Sequence, residues 1–149
     1  MNMDGFSEIT EIYSGYQSRI YKGIRKSDQA MVALKVPSSE FPEPLQLSAL
    51  KREFQVLEAL KGNGIPSSLE YIELKNSAVL VREWVEGLSL RDYQKSHMVS
   101  VMEGLAIAVQ IAQRLSTVHQ QNYCHRDISP SNIILNPNNG EISLLDFGS

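Results

Sequence analysis

Two short stretches, HRDISPSN at residues 125–132 and DFG at residues 146–148, decide how this chain is interpreted. Within the first, Asp127 and Asn132 lie five positions apart in a loop that Pro130 stiffens, because the proline ring fixes its backbone φ angle. The loop therefore presents one carboxylate and one amide close together along the chain.

The apolar runs Ile133–Leu135 and Ile142–Leu145 predict two short strands joined by a polar turn at residues 136–140. A hairpin of that length would bring Asp146 back to the neighbourhood of Asn132. The spacing thus predicts that an amide and two carboxylates converge, although the loop and the second carboxylate are separated along the chain.

Together, the patterns H-R-D-x-x-x-x-N and D-F-G resemble the protein kinase family. The resemblance implies that Asp127 acts as the catalytic base, and that Asn132 and Asp146 hold Mg²⁺ against the phosphates of ATP. The resemblance covers nearly the whole chain, but this corresponds to only about the first half of a kinase domain. The alternative, two hydrogen-bonded surface turns without a catalytic role, would require both ordered motifs to arise by chance.

Composition narrows the classes of protein that fit. A chain of 149 residues fits one ordinary domain, and a net charge of −3 without a Lys/Arg run predicts no nucleic-acid or anionic membrane surface. The absence of an apolar run of about 18 residues and of a secretory signal at the start predicts a cytoplasmic location. The single cysteine, Cys124, is predicted to be a small buried apolar residue and not a nucleophile.

Alternating apolar residues between Glu8 and Val36 predict three antiparallel strands. When Ile20 is aligned with the valine after the kinase glycine-rich loop, the three glycine positions are occupied by Tyr13, Gly15 and Ser18, so one glycine remains. By resemblance, Gly15, Ile20 and Ala33 would contact the nucleotide.

The segment Val32–Lys35 resembles the kinase V-A-I-K motif, which implies that Lys35 binds the α- and β-phosphates. Apolar spacing predicts an amphipathic helix from Leu45 to Lys61, and Glu53 falls inside its apolar stripe. A carboxylate there needs a cation, so we predict a Lys35–Glu53 pair. Glu58, on the flank of the stripe, is the competing partner.

Residues 69–74 and 78–85 predict two further strands. Residues 83–87 resemble the kinase hinge, which implies that main-chain groups of Glu83 and Val85 bind the adenine edge. Arg82 then guards the pocket behind the adenine, a position where the family more often has an uncharged side chain. Nothing in the sequence explains that arginine.

A short helix is predicted from Leu88 towards Ser96, and Ser100 with Glu103 predicts the capping box of a longer helix. Its apolar spacing predicts one stripe of the kind that is normally buried, and in this chain that stripe would face solvent or a foreign partner. The stripe consists of Val101, Leu105, Ala108, Ala112, Leu115 and His119. No Cys/His spacing indicates zinc.

The predicted fold class is α+β and protein-kinase-like. Residues 1–85 would form a five-stranded antiparallel small lobe with one helix and the hinge, and residues 86–149 the start of a mainly helical large lobe. The chain, 1–149, would be a partial kinase domain. It would transfer the γ-phosphate of ATP, with Mg²⁺, to a protein hydroxyl, favouring serine or threonine. Its predicted partners are a protein substrate and further domains of a larger signalling protein.

Two departures keep alternatives open. Ser129 stands where most serine/threonine kinases have a lysine, and the glycine turn is eroded, so a pseudokinase that senses nucleotide or binds partners is the second interpretation. A small-molecule kinase of the aminoglycoside or choline type is the third. The variant at residues 127–132 also resembles the kinase-like front domains of large bacterial hybrid signalling proteins.

Overall fold

The structure is a computed structural model that describes residues 4–60, 62 and 64–147. It divides into two compact units. One contains residues 4–55 and Ser67–Trp84, and the other contains residues 56–66 and Val85–Phe147. No helix in the part of the chain that the structure describes is long and apolar enough to cross a membrane.

The first unit is built on five antiparallel strands in the order β1-β2-β3-β5-β4, as predicted. The strands are β1 Phe6–Ser14, β2 Ser18–Arg25, β3 Met31–Pro37, β4 Ser68–Glu73 and β5 Ala78–Glu83. Strand β3 lies at the centre and is buried from its second residue onward, because its apolar and β-branched side chains are covered on both faces.

The two faces of this sheet have different chemistry. Residues directly opposite each other in an antiparallel pair point to the same face. The register therefore defines one face that we call the lysine face. It carries Ile20, Ala33, Lys35, Leu80 and Arg82. The opposite face carries an apolar core made of Phe6, Val32, Leu34, Val36, Val79 and Val81. The apolar core cluster thus lies on one face, and two buried cations, Lys35 and Arg82, lie on the other.

Helix α1 spans Pro44–Ala59, close to the predicted range. Pro44 is the first helical residue, where the missing N–H costs no helical hydrogen bond. The ring of Phe54 lies 5.6 Å from that of Tyr71, which is opposite Leu80 in the sheet, so α1 lies on the lysine face. The predicted last helical residue, Lys61, lies outside the described residues.

The second unit contains helices α2 Leu90–Ser96 and α3 Val101–Gln120 and a three-stranded sheet in the order β6-β7-β8. Its strands are β6 Leu88–Ser89, β7 Ile133–Leu135 and β8 Ile142–Leu144. The predicted hairpin is therefore present. Leu88 and Ser89 pair with β7, so the predicted short helix begins two residues later than expected, with Ser89 as its N-cap.

The long helix α3 begins where predicted, but with half of the predicted capping box. The Ser100 hydroxyl accepts a bond from the Glu103 amide at 3.2 Å, whereas the Glu103 carboxylate accepts one from the Tyr93 hydroxyl at 2.8 Å. The predicted stripe is not buried within the described residues, in line with the expectation that it faces solvent or a partner in this chain. Five of its six members are exposed and Leu115 is half-buried; the exposed members are Val101, Leu105, Ala108, Ala112 and His119. The buried residues of α3 are Ile107 and Val118.

Polar side chains of α3 hold the free edge of β8. Gln110 donates to the Gly140 carbonyl at 2.8 Å and accepts from the Ile142 amide at 3.1 Å, so its amide imitates a neighbouring strand. On the same strand, the Leu144 amide donates to the Gly64 carbonyl at 2.7 Å. Gly64 has a φ of 73°, where a side chain is strained. These bonds fix the strand that leads to Asp146.

Candidate active site

Lys35 and Glu53 form a buried ion pair in the first unit. The Lys35 Nζ lies 2.7 Å from the Glu53 Oε2, and the Glu53 side chain is 2% exposed. The competing candidate, Glu58, is exposed. An amphipathic helix that carries a carboxylate in its buried stripe thus delivers it to the one lysine of β3, and the pair fixes the position of the ammonium group.

The turn between β1 and β2 contains the remaining glycine. The Gly15 amide donates to the Ser18 carbonyl at 2.9 Å, so it serves the turn itself. The ring of Tyr13 packs on Gly15, a contact that the sequence did not reveal, although alternate residues of a strand share a face. Ile20 and Ala33, the other predicted nucleotide contacts, both lie on the lysine face.

The predicted hinge residues fall at the end of the first unit and the start of the second. Glu83 ends β5, where its amide donates to the Ser67 carbonyl and its carboxylate accepts from the Ser67 amide, each at 3.0 Å. Val85 is half-buried and begins the second unit. Arg82 is 3% exposed and lies opposite Ala33, so a second buried cation shares the lysine face.

In the second unit, the catalytic-loop residues contact each other directly. The Asn132 Nδ2 donates to both the main-chain carbonyl and the Oδ2 of Asp127, each at 2.9 Å. Since both neighbours are acceptors, the amide must turn its NH₂ group towards them. Its Oδ1 is therefore directed away from Asp127, as a ligand for a cation would require.

Asp146 is brought to the same loop by a backbone contact. The amide of Leu145 donates to the Asn132 carbonyl at 2.8 Å, which fixes the residue before Asp146 against the loop. Asp146 and Arg126 both have positive φ, at 64° and 66°. Such a conformation costs a non-glycine residue about 1 kcal/mol or more, and strain of this kind is concentrated at functional sites. Gly148, the last residue of the motif, lies outside the described residues.

His125 is buried beneath this loop. It is 2% exposed, and its ring centroid lies 4.5 Å from that of Phe147. The Asp127 amide donates to its Nδ1 at 3.4 Å, while its Nε2 has no hydrogen bond within the described part of the chain. Burial lowers the pKa of His125 below its ordinary value, and a backbone group of Leu145 and the carboxylates of Asp127 and Asp146 oppose that shift.

We expect the stability of the chain to fall as the pH is lowered from 7.5 to 5.5. The folded-state pKa of His125 is lowered, so the unfolded chain binds the proton more readily below about pH 6.5. The free energy of unfolding should drop by up to about 1.4 kcal/mol per pH unit in that window. Urea unfolding across the pH range measures it. His125→Gln should flatten the profile, whereas His119→Gln, at an exposed histidine, should not; equal slopes would contradict the assignment.

Two other features bear on the chemistry of the site. Cys124 is exposed, so the prediction that it is buried is wrong; it precedes His125 in an irregular segment whose alternate residues point outward. Within the described ranges, no group of three or more His, Cys, Asp or Glu residues could hold a metal ion. A cation would therefore depend on a mixed set of amide, carboxylate and ligand oxygens.

Solved structures share this fold. Rad53 (residues 1–466) in complex with AMP-PNP superposes with a TM-score of 0.84 at 26% identity, covering 97% of this chain and 39% of that one. PpkA-294 in its apo form gives a TM-score of 0.85 at 21% identity, covering all of this chain and 60% of that one. The arrangement of strands, helices and loops is thus kinase-like and α+β.

Sequence comparison identifies the family. Residues 6–149 match the family model of the protein kinase domain, and the chain belongs to the protein kinase family. It is 31% identical over 146 residues to serine/threonine-protein kinase 36 of Pongo abelii, and 31% identical over 147 residues to cyclin-dependent kinase 14 of Xenopus tropicalis. These alignments cover 98% and 97% of this chain, but the chain spans only 11% and 34% of those relatives.

Proposed function

We propose that this chain contributes the nucleotide site and catalytic loop of an ATP-dependent protein kinase that acts on serine or threonine. The observation that carries the proposal is the pairing of Asn132 with Asp127, because it orients one side chain for a cation and the other for an acceptor hydroxyl. The similarity to serine/threonine-protein kinase 36, over nearly the whole chain, supports the acceptor class.

The residues have separate roles in this proposal. Lys35, held by Glu53, would bind the α- and β-phosphates, while Ile20 and Ala33 on the same face would contact the nucleotide base and sugar. Main-chain groups of Glu83 and Val85 would bind the adenine edge. Asp127 would orient the acceptor hydroxyl and receive its proton.

Mg²⁺ fits the second unit because hard oxygen ligands are available there. Asn132 Oδ1 is directed away from Asp127, and the carboxylate of Asp146 follows a residue that is bonded to Asn132. When bound, the ion would neutralise charge on the phosphates. Asn132 and Asp146 are the proposed ligands. We also predict that the protein acts on a protein substrate, carries further signalling domains and is located in the cytoplasm.

Thermal unfolding with ATP tests the nucleotide site. A ligand at 100 times its dissociation constant adds about 2.7 kcal/mol to the folded state, so ATP with Mg²⁺ should raise the melting temperature by several degrees. Asp146→Ala should remove the part of the shift that depends on Mg²⁺, and Asp92→Ala, at an exposed position of α2, should retain it. A wild-type melt that ignores ATP would overturn the proposal.

The turn at Gly15 favours a second candidate, the pseudokinase. Its one remaining glycine amide is already bonded to Ser18, and Ser129 lacks the positive charge usual at that position. This candidate predicts that the chain binds nucleotide or a partner without transferring phosphate. Transfer that depends on Asp127 would exclude it.

A further inference from the structure

The side chain of Tyr13 lies on the nucleotide-binding face of the proposed site. Tyr13 is opposite Ile20 in the register of β1 and β2, and Ile20 is opposite Lys35 in β2 and β3. Opposite residues share a face, so the tyrosine is directed to the lysine face. In the alignment with the kinase glycine-rich loop, Tyr13 stands at the first glycine position.

The ring of Tyr13 explains why position 15 is glycine. A Cβ atom on Gly15 would lie 2.5 Å from the Tyr13 Oη and 2.6 Å from its Cε1, closer than real Cβ contacts. The φ of Gly15 is not in the left-handed region, so its backbone conformation does not require glycine. A side chain at position 15 would have to displace the end of the Tyr13 ring, so glycine allows the ring to lie where it does.

The Tyr13 hydroxyl is available to a ligand. Tyr13 is 55% exposed, and its Oη makes no hydrogen bond to any residue that the structure describes. The ring contact places this donor at the tip of the turn, beside an amide that is already bonded to Ser18. A phenol donates readily to a charged oxygen, and bonds of this kind are stronger than neutral ones.

We infer that the Tyr13 hydroxyl is a phosphate-binding donor of the nucleotide site, held in place by its contact with Gly15. It substitutes for main-chain donors that the missing glycines would have exposed. The ligand class is a nucleoside di- or triphosphate. This inference rests on the proposed function, since it assigns one further contact to the same site.

Binding of ATP and of adenosine to Tyr13→Phe tests the inference. Calorimetry should show about a tenfold weaker affinity for ATP, the effect of one hydrogen bond to a charged group, and an unchanged affinity for adenosine. ATP affinity within twofold of wild type would overturn the inference. A wild-type chain that binds neither ligand would overturn it together with the proposed function.

A second readout uses Gly15. Gly15→Ala should displace the ring of Tyr13 from the turn and so weaken the affinity for ATP, because the new methyl group would overlap the ring. The same substitution in a Tyr13→Ala background should leave the affinity for ATP unchanged. Equal losses of affinity in both backgrounds would show that the contact with Gly15 does not position the hydroxyl, and would overturn the inference even if ATP binds.

Discussion

Replacing Asp127 by asparagine is expected to lower the rate of phosphate transfer by about two to four orders of magnitude. Asparagine removes the carboxylate that would receive the proton. In the wild-type chain the Asn132 Nδ2 lies 2.9 Å from the Asp127 Oδ2, and the side-chain oxygen of an asparagine at position 127 can still accept that hydrogen bond. The loop should therefore keep its shape, and ATP should still raise the melting temperature.

Transfer of radiolabelled phosphate from ATP to a mixed-protein acceptor measures this loss. Asp28→Asn is the matched control, because Asp28 is exposed and its hydrogen-bond partners, Arg25 and Ala30, are not proposed catalytic groups. The control should retain the wild-type rate. An Asp127→Asn variant that transfers phosphate at a rate within threefold of wild type would contradict the assignment of Asp127 as the base.

Replacing Lys35 by methionine is expected to lower the free energy of unfolding by about 3 kcal/mol and to abolish the stabilisation by ATP. The substitution removes the ammonium group that lies 2.7 Å from a carboxylate with 2% exposure. Taking away one partner of a buried pair costs about 3–5 kcal/mol, because the remaining charge stays in a poorly solvated site. Urea unfolding, with and without ATP, measures both effects.

The chain provides a matched pair for comparison. Lys51 of α1 also contacts a glutamate, with Nζ 3.1 Å from the Glu73 Oε1, but both side chains are more than half exposed. Exposed pairs contribute about 0–1 kcal/mol, so Lys51→Met should cost little and leave the ATP effect intact. If both substitutions lower the free energy of unfolding equally, burial of the Lys35–Glu53 pair is not the cause of the larger loss expected for Lys35→Met.

Features set by short-range spacing could be predicted from the sequence. Strand alternation located the five strands of the first unit, and the position of Glu53 in the helical stripe predicted its contact with Lys35. The hairpin after Asn132 followed from two apolar runs of the right length. In each case the residues that determine the feature are close in sequence or obey one period.

The inner face of α3 could not be predicted because its residues are partly polar. Ile107 and Val118 are eleven residues apart, about three helical turns, and therefore lie on one face. Gln110 and Arg114 lie on that face too and bond to the β8 backbone. The apolar pattern instead selects a neighbouring face, about 100° around the helix, since periodicity shows which residues share a face but not what covers it.

Cys124 offers a practical route to these measurements. It is the only cysteine in the sequence, and its exposed thiol lies three residues before Asp127. A maleimide dye or a spin label can therefore be attached at one known position without first removing other cysteines. A probe at that place would report spectroscopically on the segment that leads into the catalytic loop, in an otherwise natural sequence.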